Sequence, residues 1–189
     1  YYLRYHEDME PEIYSDKIRD TVYVAYNNYK LWQKNKEAHG YTITPLEIEY
    51  PIVTPYYGGT CDCIMNISKN GISRNYLMDF KTSKQISVDY FLQIYFYLWG
   101  LNWLRQYCDP NIPIIDGGIG VIRVDKFTPD LYEDSIIQFS DIKNNDFMNY
   151  LDYSLGSILN WYYNYINLTY TYRVCKPHLK NKDLEDFKL

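Results

Sequence analysis

Residues 60–81 read "TCDCIMNISKNGISRNYLMDFK". Two apolar-rich runs flank Asn70 and Gly71, a dipeptide whose tolerance of positive φ makes it a strong tight-turn signal. The pattern predicts an antiparallel hairpin with strands over Thr60–Ile67 and Asn75–Lys81. Side chains alternate along a strand, so Leu77, Asp79 and Lys81 share one face, and Tyr76, Met78 and Phe80 share the other.

Upstream, "PLEIEYPIV" alternates, with Leu46, Ile48, Tyr50 and Ile52 on one face and Glu47 and Glu49 on the other, as a strand does. Before it, Ser15 can cap a helix over 15–34 in which Ile18, Val22, Ala25, Tyr29 and Trp32 form one apolar stripe, ended by Gly40 and Pro45. Downstream, Val88–Tyr107 is dense in Tyr, Phe, Leu and Trp and predicts a long, largely buried helix. "GGIGVIRVDK" (117–126) and "DSIIQFS" (134–140) predict two more strands, and 141–166 an aromatic-rich helix with a polar tail after it. Helices and strands in this order predict an α/β fold, a mixed central β-sheet flanked by helices. The absence of repeats or low-complexity linkers in 189 residues predicts one domain, with its core at about 46–125.

The composition, 47% hydrophobic and 23% charged, is that of ordinary globular protein. Its 24 tyrosines suit half-buried and stacking positions, though a coding bias toward Tyr, Asn, Ile and Lys explains them as readily. A net charge of -5 argues against a surface coated in positive charge for nonspecific nucleic-acid binding, but leaves room for a local basic groove. Cys61, Cys63, Cys108 and Cys175 are too scattered for a zinc ribbon or a dense disulfide framework, which points to a reduced intracellular setting. No apolar run approaches the roughly 18 residues of a membrane span, and no signal peptide is visible. The chain opens without Met, so its true start is expected upstream.

The tripeptide Asp-x-Lys is weak by itself, for it recurs at Asp141–Lys143 and Asp186–Lys188. What distinguishes Asp79-Phe80-Lys81 is Gly59-x-x-Asp62 on the partner strand. Adjacent strands lie about 4.8 Å apart, so the two carboxylates can converge if the register allows. Such a pair is stable together around a divalent cation, and Mg²⁺ is content with two carboxylates, a backbone carbonyl such as that of Phe80, and water. Lys81 then stands where it orients the attacking water and stabilises an anionic transition state of phosphodiester hydrolysis. Gln93 and Tyr97, four apart on the following helix, share a face that can aim an amide and a hydroxyl at the same site. The competing reading is a hairpin with surface carboxylates and a compensating lysine.

Taken as an ordered set over about 46–100, Gly59-x-x-Asp62, Asp79-Phe80-Lys81-Thr82-Ser83 and Gln93-x-x-x-Tyr97 resemble motifs of the RecB-like branch of the PD-(D/E)xK nuclease superfamily. That branch includes nuclease domains of recombination helicases, CRISPR adaptation nucleases and phage exonucleases. The resemblance implies a restriction-endonuclease-like core and a Mg²⁺- or Mn²⁺-dependent DNase, with Asp62 and Asp79 as metal ligands and Lys81 as the catalytic lysine. Gln93, Tyr97, Thr82 and Ser83 would support the site or contact DNA. Many relatives add a metal-binding His upstream, a role for which His6, 56 positions before Asp62, is better placed than His39. Glu47 or Glu49 is a further choice. Iron-sulfur members hold their cluster with one early cysteine and a C-terminal group, whereas here Cys61 and Cys63 flank Asp62 and only Cys175 is late, so no cluster is expected.

Exonuclease action on single- or double-stranded DNA ends, alongside recombination or phage replication proteins in a bacterial or phage-infected cytoplasm, rests on the same resemblance. Mitochondrial and nuclear settings stay open, as does RNA as substrate. Trp99, Trp103 and Tyr90 could stack on unpaired bases, although their helical spacing favours core packing. A noncatalytic nuclease-fold subunit that binds DNA or serves in assembly is the alternative, against which the intact Asp62, Asp79 and Lys81 argue.

Overall fold

The structure, a computed structural model, describes residues 16–144 and 146–175. Ser15, His6 and the Asp186–Lys188 copy of the tripeptide lie outside them. In chain order come helix α1 (Asp16–Ala38), strands β1 (Tyr41–Val53), β2 (Gly58–Lys69) and β3 (Ile72–Lys81), helix α2 (Val88–Tyr107), strands β4 (Gly118–Val124) and β5 (Tyr132–Gln138), a 3₁₀ turn (Phe139–Asn144) and helix α3 (Asp146–Cys175). The strands form one sheet in the order β1-β2-β3-β4-β5. All neighbours are antiparallel except β3 and β4, which run parallel and are joined by the α2 crossover. The expected α/β architecture, a mixed sheet flanked by helices, is the one observed.

The hairpin forms because Asn70 (φ 53°) and Gly71 (φ 80°) both take the left-handed conformation that a type I′ turn requires, which pairs Lys69 with Ile72. Alternation then divides the core. Ile64, Leu77, Ile119 and Val121 pack with Phe91, Ile94, Leu98 and Leu101 of α2 and with Met148 and Leu151 of α3. Cys63, Met65, Tyr76, Met78, Ile122 and Val124 pack on the other face against Tyr29 and Trp32 of α1. Every residue of β4 is buried, as befits a strand covered on both faces. Asn28, itself buried, ties α1 to the turn after β4 by donating to the carbonyls of Asp125 (2.8 Å) and Thr128 (2.9 Å).

β1 corrects the sequence reading. It begins at Tyr41, with Pro45 inside it, because β1 is an edge strand and the register shifts between Pro45 and Glu47, where a missing N–H is harmless. The bulge leaves Leu46 41% exposed instead of buried. A second irregularity follows at Glu49 (φ 52°), beyond which Tyr50 and Ile52 pack on the α2 side while Ile48 stays on the α1 side. The single-face pattern expected for Leu46, Ile48, Tyr50 and Ile52 is therefore broken twice. α2 spans Val88–Tyr107 as expected, started by Ser87, whose hydroxyl accepts the Asp89 N–H. α3 starts later than 141 because the 3₁₀ turn intervenes, and it runs beyond 166 to Cys175.

Candidate active site

β2 and β3 are paired from the turn as far as Cys63 and Met78, and there the ladder stops. The next residue of β3 whose N–H points toward β2 is Phe80. Its hydrogen goes to the carboxylate of Asp62, Oδ2 at 2.8 Å, in place of a backbone carbonyl. Asp62 thus bridges the point where the strands part. In extended backbone a residue's N–H and C=O leave the chain on the same side, so the Phe80 carbonyl faces the same gap.

Asp79 reaches this gap from β3 and is only 2% exposed. Its Oδ2 lies 2.6 Å from Lys81 Nζ, off the direction of a hydrogen bond, and has no aligned donor although it is shut off from water. Burial pushes the Asp79 carboxyl up to about 6, Lys81 pulls it back, and the neighbouring Asp62 charge adds to the rise. Both carboxylates are therefore within electrostatic reach of one another.

Lys81 is the hub of the remaining contacts. Its ammonium donates to Gln93 Oε1 (3.2 Å) and sits 5.1 Å from the centre of the Tyr90 ring. Gln93 Nε2 in turn donates to the Tyr97 hydroxyl (2.9 Å). Tyr97 comes so close to β2 that a Cβ on Gly59 would lie 2.8 Å from its Cε1, which makes glycine the residue that lets helix and strand meet here. Residues 59, 62, 79, 81, 93 and 97, drawn from three elements, form one continuous chain of contacts.

Other expected members stand apart. Thr82 is exposed, and the Ser83 hydroxyl donates to the Gln85 carbonyl within its own loop (2.8 Å). Among the described residues no three His, Cys, Asp or Glu side chains are grouped so as to hold a metal ion, and the charge of Glu47 is felt at Tyr50 and Cys61. The positive φ at Glu49 takes that residue out of simple alternation, whereas Glu47, opposite Ile64, keeps to the α2 side of the sheet. Cys61 and Cys63 are buried in β2, and burial raises both thiols, that of Cys61 to about 12. Trp99 and Trp103 are half-buried on α2, Trp99 against Tyr56 and Tyr57 and Trp103 against Tyr107.

Two contributors escape the motif reading. Tyr90 stands three residues before Gln93, so its place on the Lys81 side of α2 was open to the same helical spacing. Arg123 lies opposite Lys81 in the β3–β4 register and is 5% exposed. Its Nε donates to the Ser83 carbonyl (2.8 Å) and an Nη to Asp125 (3.2 Å), holding the loop that leads from Lys81 to α2. A lone arginine inside "GIGVIRV" was the available signal, since a buried charge is kept only where it is paired.

A hard divalent cation fits the donor set in one respect: two adjacent carboxylates, one with a buried oxygen lacking an aligned donor, suit a small oxygen-seeking ion. The remaining positions would fall to the Phe80 carbonyl and to oxygens from water or substrate. No helix of the described residues is long and apolar enough to cross a membrane. The chain matches no protein-family model and no curated protein.

Proposed function

We propose that this chain is a divalent-metal-dependent nuclease of the RecB-like PD-(D/E)xK type that hydrolyses DNA phosphodiesters, acting as an exonuclease in recombination, repair or phage DNA metabolism. The observation that carries the reading is the unbroken chain from Asp62 through Phe80, Asp79, Lys81 and Gln93 to Tyr97. A structural ion pair on a hairpin has no need of a buried carboxylate beside a second one, nor of a helix that delivers an amide and a hydroxyl to the lysine.

Mg²⁺ or Mn²⁺ would be held by Asp62, Asp79 and the Phe80 carbonyl and would supply charge neutralisation and Lewis-acid stabilisation of a phosphoryl oxygen. The chain's own groups do the rest. Lys81, fixed between Asp79 and Gln93, orients the attacking water and places a positive charge where the phosphorane-like transition state accumulates negative charge. Gln93, steadied by Tyr97, holds the ammonium against the four-carbon flexibility of its side chain. Asp79 is buried, and in such a low-dielectric setting its interaction with the lysine is worth more than in water.

The test is degradation of end-labelled single-stranded DNA, duplex DNA and RNA with Mg²⁺ or Mn²⁺, comparing wild type with Lys81→Ala. Removing an electrostatic stabiliser of this kind is expected to slow cleavage by roughly 100- to 1000-fold. Equal and negligible cleavage by both proteins would sink the enzyme reading in favour of a noncatalytic subunit.

A further inference from the structure

The opposite face of the sheet carries a second concavity. α1 ends at Ala38, but the strands beneath continue, and the uncovered stretch forms a cavity of about 270 Å³. Its walls are the rings of Trp32, Tyr41 and Tyr76 with isoleucines from β1, β2 and β5, and its polar groups are Lys36, Asp134 and Gln138. Tyr76 and Asp79 alternate on β3, so the cavity and the Asp79–Lys81 pair lie on opposite sides of the sheet.

Three features bear on what it could hold. Lys36 Nζ and Asp134 Oδ2 are 2.6 Å apart and only partly exposed, so a donor and an acceptor stand side by side with no net charge between them. The aromatic walls suit a flat ring. The Trp32 indole, 1% exposed, has an N–H with no hydrogen-bond partner, an unusual state for a buried donor. A neutral ring with adjacent acceptor and donor atoms on its edge matches the ion pair and the aromatic walls, and the volume admits one such unit rather than an oligomer.

We propose that this cavity is a binding site for a planar nitrogen heterocycle of nucleobase size, with the ring against Trp32, Tyr41 and Tyr76 and its polar edge on Lys36 and Asp134. The site is separate from the chemistry at Lys81 and does not depend on the nuclease reading. Lys69, 4.1 Å from the centre of the Tyr41 ring, lies at its margin, where a phosphate on the ligand would find a cation.

The experiment titrates adenosine, adenosine monophosphate and, as an apolar aromatic control, p-cresol into the full chain. The readout is the indole N–H resonances of its four tryptophans, with Trp32 assigned through Trp32→Phe. Binding of adenosine with a dissociation constant on the order of 0.1–1 mM and movement of the Trp32 resonance is expected. Asp134→Asn, at a partly exposed position that leaves the core intact, should weaken it roughly tenfold, while Lys81→Ala should leave it unchanged. Tighter binding of the monophosphate, abolished by Lys69→Met, would extend the site to nucleotides. A Trp32 resonance that stays still at about 10 mM adenosine, p-cresol binding as tightly as adenosine, or indifference to Asp134→Asn would each overturn the proposal. Should Trp32→Phe fail to fold, assignment through Lys36→Met, which perturbs the neighbouring turn of α1, serves instead.

Discussion

Replacing Asp79 by Asn removes a charge that the fold holds at a cost, and the cost can be isolated by its pH dependence. Burial raises the Asp79 carboxyl from 3.8 to about 6. The folded state therefore binds this proton more tightly than the unfolded chain does. The stability it contributes is full below the unfolded value and is lost as pH rises through the folded one. A shift of about 2 units corresponds to roughly 3 kcal/mol, of which about 2 kcal/mol falls between about pH 4 and about pH 8. The substitution also alters packing and strands Lys81 without its ion partner, but those losses vary little over this range. Urea unfolding of both proteins at the two pH values, without divalent metal, should show Asp79→Asn gaining about 2 kcal/mol on wild type from the lower pH to the higher. A difference that is flat across the range would refute the claim that Asp79 is buried and charged at neutral pH.

Two further outcomes follow from the packing. Gly59→Ala places a methyl group against the Tyr97 ring, and overpacking of this kind is expected to cost about 1–3 kcal/mol in denaturant unfolding. Combined with Tyr97→Ala the cost should fall well short of the sum of the two, because the clash disappears with the ring. Asn28→Ala deprives the Asp125 and Thr128 carbonyls of their donor, and a loss of about 1–3 kcal/mol is expected. A change under about 0.5 kcal/mol would mean that water replaces the amide without penalty.

The hairpin and α2 were legible in the sequence because each is specified locally, by Asn70 and Gly71 in one case and by a capped apolar run in the other. Alternation along β3 sorted Leu77, Asp79 and Lys81 from Tyr76, Met78 and Phe80, and spacing on α2 put Gln93 and Tyr97 on the side that meets them. β1 was misread because its irregularities at Leu46 and Glu49 are not announced by turn residues; Glu49 in particular is an ordinary side chain in a conformation favoured by glycine. Arg123 was missed for a different reason. Its role depends on β4 lying beside β3, a contact made across the whole of α2 that no local pattern encodes.

The way the hairpin ends also determines which substitutions speak about chemistry. Asp62 is at once a possible metal ligand and the acceptor for the Phe80 N–H at the edge of the ladder. Asp62→Ala removes both roles and leaves a backbone donor unpaired in a part-buried place, so lost activity could come from a shifted β3 as easily as from a lost ligand. Asp62→Asn keeps the size and one oxygen acceptor for the Phe80 N–H while removing the charge and turning the second oxygen into a donor. Lys81 differs again: its partners are side chains and a ring, none of them backbone of the sheet. Truncating it leaves the strand pairing alone while removing the positive charge that holds the Asp79 carboxyl down against burial. For that reason Lys81 separates catalysis from architecture more cleanly than either carboxylate, and the pair Asp62→Asn and Lys81→Ala tests the site without dismantling the hairpin that presents it.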